Sequence, residues 1–354
     1  MFERILVPLD GSKGSERAIP VAASIARASD GTIVLISVVI AQIEFGTYTA
    51  ERTVSLKPGA FKQRLAEAAD YLAGIKETYA SDLAGIDTEI DVAAGAASPI
   101  IYSAANLEGV DLIVLCSHEE GGLKRWVFGS VAQEALRHSP VPVLVLNEHG
   151  SVPPVPDATH PLRVLLPLDE SGTSETAVLP TAQLIAAIAA PFQGEIHIFY
   201  VVDLPSVYGK MKSQVHITDI AQEEARQEAL QEAEKYVKSV KERCETVFAG
   251  TNLNFTSSVA VNENVAETIV KEAEQARDTG SATGYDMIAM ATHGKGALRR
   301  LFMGTVTEHV LKTTKLPLLI VRPHQAAETG GEGEEPGDTA VVEVTKVSVH
   351  ILAE

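Results

Sequence analysis

The 354-residue chain is short of several things, and each shortage excludes a class of protein. It has two cysteines, Cys116 and Cys244, too few for the disulfide framework of a secreted scaffold, so a reducing, cytoplasmic setting is the simpler expectation. Basic residues are outnumbered: 29 Lys and Arg face 47 Asp and Glu, leaving a net charge of −18. A surface of that sign repels nucleic acid and anionic lipid, so neither is expected as a partner. No apolar run is long enough to cross a bilayer, and the opening MFERILVPLD lacks the apolar core of a signal peptide. Neither a Walker A lysine motif nor an acidic metal-ligand cluster is visible. With no such machinery, any hydrolysis of a nucleoside triphosphate should be slow.

What the chain has is a repeat. The stretch Asp286 to Thr305, DMIAMATHGKGALRRLFMGT, has a near-copy upstream, DLIVLCSHEEGGLKRWVFGS, from Asp111 to Ser130. Likewise Leu166-Pro167-Leu168-Asp169 repeats Val7-Pro8-Leu9-Asp10 at an offset of 159 (169 − 10). His118 and Gly129 recur as His293 and Gly304 at an offset of 175 (293 − 118). The second copy therefore holds sixteen extra residues (175 − 159), which we expect in loops flanking its third strand and the following helix.

Each copy alternates apolar strand runs with helical periodicity. In the first, strands are expected at Ile5 to Val7, Thr32 to Ile40, Glu89 to Val92, Leu112 to Leu115 and Val141 to Leu146. The near-continuous apolar character of several suits a largely parallel sheet covered on both faces. Helical spacing marks Ala18 to Ala26, with Ser15 as its N-cap and Asp30-Gly31 as its stop, then Phe61 to Tyr79, Ile100 to Ala105 and Ser130 to Arg137. In the second copy a long helix carries an apolar stripe of Ala225, Ala229, Ala233, Tyr236, Val240 and Cys244. Its opposite face is charged: Glu223, Glu224, Glu228, Glu232, Lys235 and Lys238. Pro142 and Pro317 fall in the last strand of each copy, and proline belongs on sheet edges. These two edges should meet, making a pseudo-dimer within one chain.

The domain limits expected are 1–149 and 162–324, with a Pro-rich linker at 150–161 and an acidic, glycine-rich connector from 325 leading to a terminal strand. In that tail, AVVEVTKVSVHIL, Val342 and Val344 share one face while Val347, Val349 and Ile351 share the face of opposite parity, so a bulge or bend is expected near Thr345-Lys346. A lone strand is unstable. The tail should pair either with its own domain or with a second chain, giving a homodimer.

The Met287 to Met290 run reads as a buried strand ending in the small Ala291, and Gly304-Thr305 open a helical pattern with Val306, Val310 and Leu311. Small residues at a strand end and free N–H groups at a helix start describe a phosphate cradle. Two α/β copies, each with V/L-P-L-D after the first strand and S/T-H, then G-S/T, after the fourth, resemble universal stress proteins in tandem form, over residues 1–146 and 162–323. The resemblance implies two doubly wound five-stranded parallel sheets (an adenine nucleotide alpha hydrolase-like fold), a role in stress tolerance, and, in some members, bound ATP, alone or with Mg2+. Carried over residue by residue, it implies that Pro167 and Val201 line an adenine pocket with Met290 as its floor, that Leu168 belongs to the binding site, and that Asp169 meets the ribose. Gly294, Gly304 and Thr305 would face the phosphates with the amides of Val306 and Thr307, and Ala291 stands where the family pattern has a glycine. His293 lies beside them and is not expected to be catalytic. The first copy departs from the pattern at Cys116 and Glu119 and keeps Gly129-Ser130, so its site should be degenerate. The alternative to a nucleotide-binding stress protein is a dimerisation and interaction scaffold with both sites empty, or a slow ATPase.

Overall fold

The computed structural model describes residues 2–40, 58–117, 130–154, 157, 160–211, 219–278, 284–292 and 303–323. The first half runs β1 (Arg4–Pro8), α1 (Lys13–Glu16), α2 (Ala18–Ser29), β2 (Thr32–Val39), α3 (Pro58–Thr78), β3 (Thr88–Ala94), α4 (Ala97–Leu107), β4 (Leu112–Ser117), α5 (Ser130–His138) and β5 (Val143–Asn147). The second runs β6 (Leu162–Leu168), α6 (Gly172–Glu175), α7 (Val178–Ala189), β7 (Gly194–Asp203), α8 (Leu204–Met211), α9 (Asp219–Val247), β8 (Leu253–Asn262), α10 (Val265–Asp278), β9 (Met287–Ala291), α11 (Thr305–Thr313) and β10 (Leu318–Val321).

The strands do not form two separate sheets. They form one ten-stranded sheet in the order β3-β2-β1-β4-β5-β10-β9-β6-β7-β8. Within each half every pairing is parallel. The halves join where β5 and β10 run antiparallel, Val143, Leu144 and Val145 facing Ile320, Leu319 and Leu318. The contact expected from the two prolines is thus present, although Pro142 and Pro317 each stand one residue before their strand. There the missing N–H removes nothing from the ladder.

Because the sheet is continuous, so are its two cores. One face is packed by residues such as Ile19, Ala22 and Ile25 of α2, Leu72 of α3, Leu184 and Ile185 of α7, and Val237, Val240 and Cys244 of α9. The other is packed by Ile101 of α4, Leu136 of α5, Ile269 of α10, and Val310 and Leu311 of α11. Helices α2 and α7, from different halves, pack together. The charged face of α9 is exposed at Glu223, Glu224, Glu228, Glu232, Lys235 and Lys238, as its pattern requires.

Two expectations are corrected. The cap after β1 is Ser12, whose hydroxyl accepts from the Ser15 amide to start α1; α2 follows with Arg17 at its N-cap position and no side-chain capping bond. A four-residue helix has no apolar periodicity to reveal it. Of the sixteen extra residues of the second half, twelve flank the third strand as expected, but four precede the second strand. Pairing registers give an offset of 163 at the second strand (196 − 33), 167 at the third (255 − 88) and 175 at the fourth (287 − 112). Four additions therefore precede the second strand, four precede the third, and eight lie between the third and fourth. Residues 279–283 lie outside the described residues.

One side chain in this half carries a pH dependence. His197 on β7 bonds Thr256 Oγ1 through Nδ1 and Ser258 Oγ through Nε2, both at 2.7 Å. Burial pulls its pKa down to about 4. The unfolded imidazole binds a proton below about pH 6.5 and the folded one does not, so stability falls as pH drops from 6.5 to 4. This histidine should account for about 2–3 kcal/mol of that loss. Chemical denaturation at stepped pH checks it: His197→Gln should flatten the slope between pH 6.5 and 4.5, and an unchanged slope refutes the assignment.

Candidate functional site

In both halves the chain leaves the first strand to one side and returns to the other side with the fourth, so the strand order reverses between β1 and β4 and between β6 and β9. Open α/β sheets form a crevice at the carboxyl ends of such a pair. Here β6 and β9 are paired at Val164–Met287 and Leu165–Ile288, while β6 continues to Leu168 and β9 to Ala291. The strands part at the level of Pro167.

The backbone explains that proline. Asp286 N donates to Arg163 O at 2.7 Å, so residue 163, and by alternation 165 and 167, direct their backbone groups towards β9. Pro167 has no N–H to give, and it stands where β9 has already turned away. In the first half Asp111 N donates to Arg4 O at 3.0 Å, which places Pro8 identically. The proline marks the mouth of each crevice.

Beyond Pro167 and Leu168, both buried, the chain turns at the half-buried Asp169. Its Oδ1 accepts from Ser171 N at 3.1 Å and from Ser171 Oγ at 2.5 Å. Ser171 then caps α6 by accepting from Ser174 N at 3.0 Å, while Ser174 Oγ accepts from Asp169 N at 3.3 Å. A carboxylate in such a turn is fixed in direction, and its chemistry is that of an acceptor. The first half repeats the device with Asp10, Ser12 and Ser15. The residue after each aspartate is left-handed: Gly11 at φ 89° and Glu170 at φ 62°. Ser171 and Ser174 were not among the expected site residues. The signal for them was D-x-S-x-x-S, present in both copies at the offset of 159.

The turn is anchored from behind. Glu175 accepts from Tyr236 at 3.0 Å and from Arg243 at 2.6 Å, tying α6 to α9. In the first half the buried Glu16 accepts from Tyr79 at 3.1 Å and from Lys13 at 2.7 Å. Carboxylate charge and burial raise the Tyr79 and Tyr236 phenols above their ordinary range, burial being the larger cause.

The opposite wall is β9 with α11. Val201 of β7 and Met290 of β9 belong to the same core face, while Ala291 points to the other. The Thr307 hydroxyl donates to Ala291 O at 3.0 Å, and Gly304 N donates to Thr292 O at 2.8 Å. These bonds hold the start of α11 against the end of β9. Gly304 is the N-cap and supplies no side-chain cap, so the first-turn amides of Thr305, Val306 and Thr307 have no intrahelical acceptor. The Thr307 hydroxyl is committed, leaving its amide. His293 and Gly294 lie outside the described residues, as do Lys295, Arg299 and Arg300 and, in the first half, Glu119 and Gly129.

The first crevice is chemically different. Cys116 is half-buried at the position of Ala291, and burial pushes its thiol up to about 12, so it is no thiolate at neutral pH. Arg17 donates to Asn147 O at 2.8 Å and Gly150 O at 2.9 Å. A Cβ on Gly150 would stand 2.3 Å from Lys315 O, so the turn after β5 lies tightly against the second half. A shallow groove lined by Gln133, Arg137, Met303, Glu308, Leu311 and Lys312 sits between α5 and α11, at the junction and not in either crevice. Among the described residues there is no cluster able to hold a metal ion and no helix long and apolar enough to cross a membrane.

Comparison with known proteins gives a consistent result. The model of the Universal stress protein family matches residues 1–147 and 162–322. A universal stress protein of Methanocaldococcus jannaschii is 31% identical over 162 residues, covering 45% of this chain and 81% of that protein. One from Mycobacterium bovis is 26% identical over 220 residues, covering 60% of this chain and 62% of its own length. The crystal structure of a universal stress protein from Archaeoglobus fulgidus superposes with a TM-score of 0.60 over 91% of this chain and 99% of that one, at 16% identity, a likeness of fold.

Proposed function

The chain belongs to the universal stress protein family as a tandem of two family domains, and from that premise we propose that it is a stress-response or regulatory protein holding ATP in the crevice of its second half. The observation that carries this reading is the start of α11 at Gly304 and Thr305, where the N-cap glycine supplies no side-chain bond, held against the end of β9 beside the mouth marked by Pro167. Free amides and a positive helix end favour a phosphate chain. Pro167, Leu168, Val201 and Met290 would line the adenine side, and Asp169, aimed by Ser171, would accept from the ribose hydroxyls. Gly294, Gly304 and Thr305, with the amides of Val306 and Thr307, would meet the phosphates, which bring their own Mg2+ when it is present. The small Ala291 leaves room for that approach, and His293 is assigned no catalytic part.

We take the domains as 1–149 and 162–324, joined by 150–161 and followed by the tail from 325, in a cytoplasmic protein with at most slow ATP hydrolysis. In the first half Cys116 and Glu119 replace small residues, and we assign it no nucleotide. The rival reading, a scaffold with empty sites, draws on the β5–β10 junction, whose backbone pairing joins the halves directly. Because β5 and β10 pair with each other within the chain, a homodimer would have to form through the tail or another surface.

Titration calorimetry with ATP decides between the readings. One nucleotide per chain is expected, and mass spectrometry of the denatured protein should find an adenine nucleotide carried through purification. Two equivalent sites would refute the asymmetry, and none would favour the scaffold.

A further inference from the structure

Joining the halves leaves two outer strands in the sheet, β3 and β8. They differ in a way that matters to an incoming strand. β3 has seven residues and carries Glu89 and Asp91, and Glu89 is held by Arg4. β8 has ten residues, LNFTSSVAVN, without charge, proline or glycine. It pairs with β7 in unbroken register from Leu253 to Asn262. Exposed edges are usually blunted by charge, proline, a bulge or brevity. β8 has none of these.

Its open side can be specified residue by residue. Gly194 N donates to Asn252 O at 2.9 Å, so even-numbered residues of this strand turn their backbone groups to β7 and odd-numbered ones turn outward. Leu253, Phe255, Ser257, Val259 and Val261 therefore present N–H and C=O groups with no strand beside them among the described residues. Side chains alternate as well. Leu253, Phe255 and Val259 join the apolar face packed by α9, whereas Thr256 and Ser258 are spent on His197. An added strand would need one apolar face and one polar face.

We propose that residues 340–352 of the same chain add to β8 as an antiparallel eleventh strand. With one residue bulged near Thr345-Lys346, Val342, Val344, Val347, Val349 and Ile351 fall on one face, and Glu343, Lys346, Ser348 and His350 on the other, whose two ends are Val341 and Leu352. That is the pattern β8 requires. The reach also fits. From β10 to a position beyond β8 is five strand spacings, about 24 Å. The sixteen residues 324–339 (339 − 324 + 1) are acidic and glycine-rich; a random coil of that length and composition has a root-mean-square span of about 20–24 Å. A tether matched to its span gives a local concentration on the order of millimolar, which favours the chain's own tail over a neighbour's. The chain leaves β10 at the end where β8 also finishes, because the intervening pairings are parallel, so antiparallel entry needs no return crossing.

Residue-resolved hydrogen exchange on the full-length chain tests this. The amides of Phe255, Ser257 and Val259 should be protected and should exchange roughly 10–100-fold faster in Val347→Asp/Val349→Asp, while those of Thr256 and Ser258, bonded to β7, stay unchanged. Ser257→Pro provides an independent arm. It removes an outward N–H that β7 does not use, and it should expose the tail to limited proteolysis. Outward amides that exchange freely in the unaltered chain would overturn the proposal. So would light scattering that shows a dimer reduced to monomer by Val347→Asp/Val349→Asp, since the strand would then come from a second copy.

Discussion

Gly304→Glu should abolish ATP binding by the full-length chain while leaving its thermal midpoint unchanged or slightly raised. The two effects separate because of where Gly304 sits. Its φ of −60° and ψ of 144° form an extended conformation open to any residue, so the fold does not require glycine there. A carboxylate at a helix N-terminus interacts favourably with the dipole, by about 0.3–1 kcal/mol. For a bound phosphate the same carboxylate is a like charge at close range, costing about 4 kcal/mol at 4 Å in a partly screened site. That corresponds to about three orders of magnitude in affinity, and the side chain also occupies the space in front of the free amides. Calorimetry reads the loss, and scanning fluorimetry without ligand reads the stability. Gly129→Glu, at the equivalent position of the first half, should leave stoichiometry and affinity as they were. Retained binding in Gly304→Glu, or loss on changing Gly129 alone, would place the nucleotide elsewhere.

The second large effect is expected at the junction. Leu319 is fully buried and faces Leu144 across the antiparallel pair. It sits in the core face shared by α2 and α7. Leu319→Asp removes a core side chain, for which truncation alone costs about 2–5 kcal/mol, and adds a carboxyl with no water to solvate it. The unaltered chain should melt in one transition, since a continuous sheet and two continuous cores couple the halves. The variant should lose at least about 4 kcal/mol and melt in two steps, and small-angle scattering between the steps should show a larger radius of gyration. A single unshifted transition would mean that β5 and β10 contribute nothing to holding the halves together.

The sequence by itself determined the duplication, the strand runs and the beginning of α11. These are properties of period and repeated spacing, and burial on both faces of a parallel sheet writes them as continuous apolar runs such as Thr32–Val39. It also pointed to the β5–β10 edge, although the prolines that suggested it stand one residue outside their strands. It placed Asp169 and Gly304 in one site only through the repeated motif and the family resemblance, and it passed over Ser171 and Ser174, whose bonds are local turns with no apolar signature. Only the tertiary structure decided that β6 and β9 part at Pro167, since the separation depends on strands brought together from 123 positions apart (287 − 164). The antiparallel sense of the junction, which merges two sheets into one and leaves β8 as an unblunted edge, is likewise fixed by packing. A hydrophobic pattern states which faces must be buried. The partner that buries them, and the backbone groups left over, follow from the geometry of the assembled sheet.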